Sequence, residues 1–293
     1  EDGIRDLVRS RGLGDVYKRQ GQHYSATAAV AAKFGMPLIG VMGEVDIARV
    51  NQNIIKAKHY GAKLKAVPGT LKEAITDAIK TWTTNPDFAY ICGSVVSSHP
   101  FPKIVAFAQS IIGREIREQS LEQEGKLPDM IVGCVGGGSN FAGAIYDFLD
   151  EPSVSKIGVE ASETAALSNG TPGIMQGMKT YMLQTDDGAK SLGGMSLGAG
   201  ITYFSVGPLH SYLKDQKAVT YSSATDQEML EAYKTIARTE GICSALEPMA
   251  AAAEVIFRQA KNKPKDYTIC LSLCGRGEKD LDTIQEHIGK DFE

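Results

Sequence analysis

An α/β fold with mostly parallel sheets covered by helices is the architecture this sequence predicts, on three observations. Apolar runs of strand length alternate with amphipathic or alanine-rich runs of helix length from Ser25 onward. Two of those apolar runs end in polar, glycine-bearing turns, the form a ligand-binding strand end takes in a parallel sheet. The 293 residues are 43% hydrophobic, enough for a substantial core in one large or two smaller domains.

The elements follow in order. Ser25 to Phe34 is an alanine-rich helix and Pro37 to Met42 a short buried strand. Ile47 to Tyr60 is a helix stopped by Gly61, and Lys63 to Val67 a strand. Leu71 to Trp82 is a helix with Thr70 as N-cap, followed by a strand at Phe88 to Cys92. Pro102 to Glu122 reads as one long amphipathic helix, Met130 to Val135 as a strand, Phe141 to Leu149 as a helix and Lys156 to Glu160 as a strand. Residues 161–213 are glycine-rich and read as loops. Order returns with a strand at Ala218 to Ser222 and helices at Asp226 to Glu240 and Glu247 to Ala260. A strand at Tyr267 to Leu273 closes the series. Residues 1–20 mix charges with glycine and have no apolar face, so regular structure is expected to begin at Gly21. That head reads either as foreign sequence from a join or as a poorly ordered native terminus.

Bulk properties exclude several functions. A formal net charge of −4 and a pI near 5.8 give no electrostatic case for nucleic acid or an anionic membrane. No apolar run approaches membrane-spanning length. Five cysteines (Cys92, Cys134, Cys243, Cys270 and Cys274), odd in number and without C-x-x-C spacing, fit a reducing cytoplasm.

The most informative stretch is Asp129-Met-Ile-Val-Gly-Cys-Val-Gly-Gly-Gly-Ser-Asn140, a strand that ends in three glycines before a helix. Glycines let main-chain N–H groups approach a ligand that a Cβ would block, and the opening turn of a helix favours negative charge. No Walker lysine or spaced dinucleotide fingerprint accompanies it. Taken alone, the loop is equally a phosphate cradle or a plain turn.

Other motifs surround it: Gly21-Gln-His23, Gly93-Ser94 followed by Pro100-Phe-Pro102, Lys126-Leu-Pro-Asp129, and Ile157-Gly-Val-Glu160. Gly177-Met-Lys179, Ser205-Val-Gly-Pro208, Arg238-Thr-Glu-Gly241, Ala245-Leu-Glu247 and Gly275-Arg-Gly277 complete the series. From Gly21 to about Asp280 this series resembles the tryptophan synthase β chains, pyridoxal-phosphate enzymes of fold type II. The resemblance implies a head at residues 1–20, a partial and incomplete N-terminal domain at 21–110 and a cofactor domain at 111–293. It implies pyridoxal phosphate held by Gly136, Gly137, Gly138, Ser139 and Asn140, with Ser94 beside it. Glu247 would lie near the ring's phenolic oxygen, and Cys274 would face the pyridine nitrogen where the family has serine. Gln22, His23 and Thr202 would contact substrate. A monovalent cation near Tyr203, Ser205 and Gly136, a homodimer and an α-chain partner are also implied. The implied lyase reaction joins L-serine, through a bound aminoacrylate, to indole and releases water.

Departures from the family pattern bear on activity. The family's Schiff-base lysine and catalytic glutamate have no counterpart here: Lys18, in the head, sits too close in sequence to Gly21-Gln-His23 to stand in for the lysine, and Tyr17 aligns with the glutamate. The chain as given is therefore expected to be inactive or impaired. Tyr24 replaces a glycine, Thr202 an aspartate, and Met175 with Gln176 an aromatic pair. Another fold-type II enzyme (a threonine synthase, serine dehydratase or sulfhydrylase) and a non-catalytic paralogue that binds an α chain stay open as alternatives.

Overall fold

The computed structural model describes residues 12–16, 21–47, 51–188, 190 and 192–292. The chain divides into two compact units, one ending at Gly93 and the other beginning at Ser94. This division precedes the boundary expected at residue 110. Val95, Val105 and Ala106 are buried in one cluster with Ala142. Gly143 lies so close to Gln109 that a Cβ there would come 2.3 Å from the Gln109 carbonyl oxygen. Those tertiary contacts, which helical periodicity does not reveal, draw residues 94–110 into the second unit.

The first unit runs β1 (Gly12–Val16), α1 (Gln22–Lys33), β2 (Leu38–Gly43), α2 (Glu44–Ile47), α3 (Asn51–His59), β3 (Lys63–Val67), α4 (Leu71–Thr84) and β4 (Phe88–Cys92). Its sheet has the order β3-β2-β1-β4, and every neighbour is parallel. This corrects the expectation that order begins at Gly21. Residues 12–16 form a middle strand, with Leu13 registered against Leu38 on one side and Ala89 on the other. Sheet ladders are made by main-chain groups, so Gly-Leu-Gly-Asp-Val can pair without the apolar run that marks a strand in sequence. Tyr17 and Lys18 lie outside the described residues.

Helix α1 begins at Gln22 rather than Ser25 because Gly21, at φ 76°, supplies a left-handed turn before it. Tyr24 is fully buried on this helix, and its hydroxyl donates to the Lys63 carbonyl at 2.9 Å. Its ring covers Gly40, where a Cβ would come 2.4 Å from the ring. Thr70 caps α4 as expected, through a capping box in which its N–H donates to Glu73 Oε2 at 2.8 Å.

The second unit runs α5 (Phe101–Gln109), α6 (Ile111–Glu124), β5 (Met130–Cys134), α7 (Ser139–Ile145), β6 (Ser155–Ala161), α8 (Ala166–Asn169), β7 (Thr171–Met175) and β8 (Met178–Met182). It continues with α9 (Pro208–Asp215), β9 (Thr220–Ala224), α10 (Asp226–Glu240), α11 (Glu247–Ala253), β10 (Ile269–Leu271) and α12 (Leu281–Ile288). The main sheet is parallel, in the order β10-β5-β6-β9. Side chains of β5 alternate between two cores. Met130, Val132 and Cys134 pack with Met229, Leu246 and Met249, while Ile131 and Val135 pack with Phe141, Ile145 and Phe148. Both faces are therefore covered by helices, which is why β5 reads as an unbroken apolar run.

Three expectations change here. The long helix expected from Pro102 to Glu122 is two, divided at Ser110, whose hydroxyl donates to the Phe107 carbonyl at 2.8 Å. Residues 161–213 are not simply loops but hold α8, α9 and an antiparallel β7–β8 hairpin. Gln176 (φ 47°) and Gly177 (φ 78°) make its two-residue turn, so Gln176 serves the backbone there. The helix from Glu247 passes into a π-helix at Glu254–Gln259. Among the described residues, no helix is long and apolar enough to cross a membrane.

Candidate active site

The glycine loop leaves the carboxyl end of β5 and enters α7. Gly136 lies against the 200–201 backbone, and a Cβ on it would come 2.5 Å from the Gly200 carbonyl oxygen. Gly138, at φ 76°, has the conformation only glycine adopts easily, and a Cβ there would come 2.1 Å from His210 Nε2. Ser139 is buried, while Gly137 and Asn140 are partly exposed.

His210 fixes the loop from beneath. It is fully buried, and its Nε2 lies 2.9 Å from the Gly138 carbonyl oxygen. A carbonyl only accepts, so Nε2 carries the hydrogen and Nδ1 accepts from the Tyr221 hydroxyl at 2.8 Å. Burial holds the imidazole neutral by lowering its pKa to about 4. Nearby, the buried Glu160 carboxylate accepts from the N–H groups of Leu167 (2.8 Å) and Ser168 (2.9 Å). Burial raises its pKa to about 7.

Glu247 is the first residue of α11 and is buried. Its Oε1 accepts from the Gly200 N–H at 2.9 Å, so the segment that Gly136 touches also grips Glu247. The Lys279 ammonium lies 2.9 Å from Glu247 Oε2 and 2.5 Å from Asp280 Oδ2. Burial, and then Glu247, push the Asp280 carboxyl above the usual range. Asp280 also accepts from the Leu246 N–H at 2.8 Å, which ties the cluster to the start of α11. Cys274, just beyond β10, brings its sulfur within 3.5 Å of Cys134 Sγ at the end of β5.

The glycine loop, Glu247 and Cys274 are thus joined by contacts within one unit. The other sequence-derived residues are placed differently. Thr202 is buried, and its hydroxyl lies 3.1 Å from the Gly198 carbonyl and 3.3 Å from the Ser196 N–H, closing its own loop. Ser94 opens the second unit and accepts from the Val96 N–H at 3.1 Å. Tyr203 and Ser205 are buried; the Ser205 hydroxyl lies 3.1 Å from that of Thr180, and the Tyr203 hydroxyl reaches Met175 Sδ at 3.8 Å. Gln22 and His23 occupy the first turn of α1, in the first unit, with the His23 ring packed over Gly93.

The chain matches the family model of pyridoxal-phosphate dependent enzymes over residues 16–275. It is 43% identical over 281 residues to the tryptophan synthase beta chain of Bradyrhizobium sp. (strain ORS 278), covering 92% of this chain and 69% of that relative. It is 45% identical, with the same coverage, to the tryptophan synthase beta chain of Allorhizobium ampelinum. The chain belongs to the tryptophan synthase β-chain family. A crystal structure of O-ureido-L-serine synthase with bound O-ureido-L-serine shares the fold, with a TM-score of 0.69 and 19% identity over 98% of this chain and 78% of that one.

Pyridoxal phosphate is the cofactor of this family, and the residues present fit it. In the glycine loop a Cβ at Gly136 would collide with the 200–201 backbone and one at Gly138 with the His210 ring, so only glycine lets the main chain follow this path. Beside it lie a buried carboxylate and a thiol. Sequence reasoning missed His210, Tyr221 and Lys279. Lys279 was findable, since it lies two residues after the Gly275-Arg-Gly277 motif. Nothing local marked His210 and Tyr221, which meet the loop only through packing.

Proposed function

We propose that the chain serves β-replacement in tryptophan biosynthesis, joining L-serine to indole with loss of water. The observation that supports this reading best is the linkage of Gly136 to Gly200, Gly200 to Glu247, and Cys134 to Cys274. When bound, pyridoxal phosphate withdraws electrons from an amino acid's α-carbon. Gly136 to Asn140 would hold its phosphate by main-chain N–H groups and the Ser139 hydroxyl, with Ser94 beside them. Glu247, oriented by the Gly200 N–H and the Lys279 ammonium, would face the ring oxygen. Cys274 would offer the ring nitrogen a thiol partner, an arrangement that would favour elimination and replacement at the β-carbon. Gln22 and His23 take the substrate carboxylate on main-chain N–H groups. A monovalent cation near Gly136, Tyr203 and Ser205, a homodimer and an α chain as source of indole complete the reading.

Titration with pyridoxal phosphate, L-serine and indole tests the reading. Cofactor binding with a serine-dependent spectral change is expected, with tryptophan as the product once indole is added. No binding of pyridoxal phosphate would refute the site, and a product other than tryptophan would refute the reaction.

A further inference from the structure

We propose that Cys134 and Cys274 form a dithiol modification site, which a hydroperoxide oxidises to a disulfide that draws the Cys274 sulfur away from the cofactor ring. The sheet brings the pair together. Strand β10 runs parallel to β5 with Leu271 registered against Val132, and the ladder continues as the Ser272 N–H donates to the Val132 carbonyl at 2.9 Å. Cys274 therefore arrives beside Cys134 at the end of the neighbouring strand, sulfur to sulfur at 3.5 Å. A disulfide needs an approach to about 2 Å, which side-chain rotation supplies from van der Waals contact. Neither cysteine is engaged in a disulfide.

Their surroundings assign the order of events. The hydrogen bond to Cys274 and burial hold Cys134 as a thiol, well above the usual range. Cys274 is the more exposed of the two and reacts first. Its thiolate attacks a peroxide oxygen, the O–O bond breaks, and the sulfur becomes a sulfenic acid as water or an alcohol leaves. The Cys134 sulfur then displaces the hydroxyl from Cys274, forming the S–S bond as the S–O bond breaks. The Cys134 proton departs with that hydroxyl as water. Two thiols have then given two electrons to one peroxide.

The dithiol itself stands on the sulfur geometry; its effect on the cofactor rests on the reading that Cys274 faces the ring nitrogen. The test treats the full chain with hydrogen peroxide in a Cys243→Ser background, which removes an exposed competing thiol. The expected product has lost two hydrogens, contains a linked peptide pair spanning positions 134 and 274, and is reversed by dithiothreitol. Added oxygen on Cys274 with no linked pair would overturn the site. Fluorescence titration with pyridoxal phosphate is the second arm. Oxidation is expected to weaken binding about tenfold, the scale of one lost polar contact, with recovery on reduction. A disulfide that leaves affinity unchanged would overturn the link to the cofactor while the dithiol stands.

Discussion

The two main sheets are both four-stranded and parallel, and their inner and edge strands are covered to different degrees. Among the inner strands, β5 is buried along its whole length, and β6 is buried after its first residue. At the edges of the first unit's sheet, β4 is half-buried throughout, and β3 buries only Val67. An apolar cleft there is lined by Ile39, Val41, Ala78, Trp82, Phe88 and Tyr90, with Trp82 stacked on Tyr90 at 5.3 Å. The glycine loop follows the inner strand β5, where His210 and the 200–201 backbone hold it from two sides. Precise main-chain geometry is thus built where packing is dense.

Core truncation should break the comparison most visibly. Phe148→Ala, in the cluster that packs on the inner strand β5, is expected to cost about 4 kcal/mol, because the buried ring leaves a cavity. Tyr90→Ala on half-buried β4 should cost about 1–2 kcal/mol. Urea unfolding of each variant measures both, and equal losses would contradict the difference in burial between inner and edge strands.

Glycines in the same left-handed conformation give the next test. Gly35, at φ 65°, has open space around its missing Cβ, so Gly35→Ala should cost about 1–2 kcal/mol from backbone strain. Gly138→Ala adds a collision with His210 and should cost about 3 kcal/mol. It should also abolish pyridoxal-phosphate binding, which Gly35→Ala should leave intact. Unfolding curves and cofactor titration on the pair report both effects.

A directional test follows from the buried titrating groups of the second unit. Glu160 has a folded pKa of about 7 against 4.5, so its contribution is fully present below 4.5 and lost as pH rises to 7. His210 has a folded pKa of about 4 against 6.5, so its contribution is present above 6.5 and lost as pH falls to 4. The two oppose each other between pH 4.5 and 6.5. Relative to the unaltered chain, His210→Gln should gain stability as pH falls from 6.5, and Glu160→Gln as pH rises from 4.5. Unfolding free energies across this range reveal the slopes, and parallel curves would contradict them.

The smallest effect should be the same in both units. Thr70 and Thr225 each sit in a capping box at an exposed helix start. Thr70→Ala and Thr225→Ala should each cost about 1 kcal/mol, since capping depends on local geometry and not on how well a sheet is covered. A large difference in their thermal shifts would show otherwise.

Legibility in the sequence followed the range of the interaction. The β3, β4 and α10 boundaries were readable to the residue, because β-propensity, capping residues and a terminal glycine are local. Strand β1 was not, because main-chain pairing leaves no side-chain signature in Gly-Leu-Gly-Asp-Val. The β7–β8 hairpin carried a local signal, Gln-Gly between short strands, which the surrounding glycines masked. Tyr24 and Thr202 read as altered site positions. The structure places Tyr24 over Gly40 in a core and Thr202 in a loop closed by its own hydrogen bonds, packing that the sequence did not reveal.

By itself the sequence determined the α/β class, the family and the glycine loop, because periodicity and motif spacing are properties of neighbouring residues. Only the tertiary structure decided that His210 and Tyr221 brace that loop, that Lys279 holds Glu247, and that Cys134 meets Cys274. The chain separates Cys134 from Cys274 by 140 positions, and strand order makes them neighbours. A parallel sheet brings distant strand ends to one edge, so the chemistry of such a site is spread across the sequence and gathered only by packing.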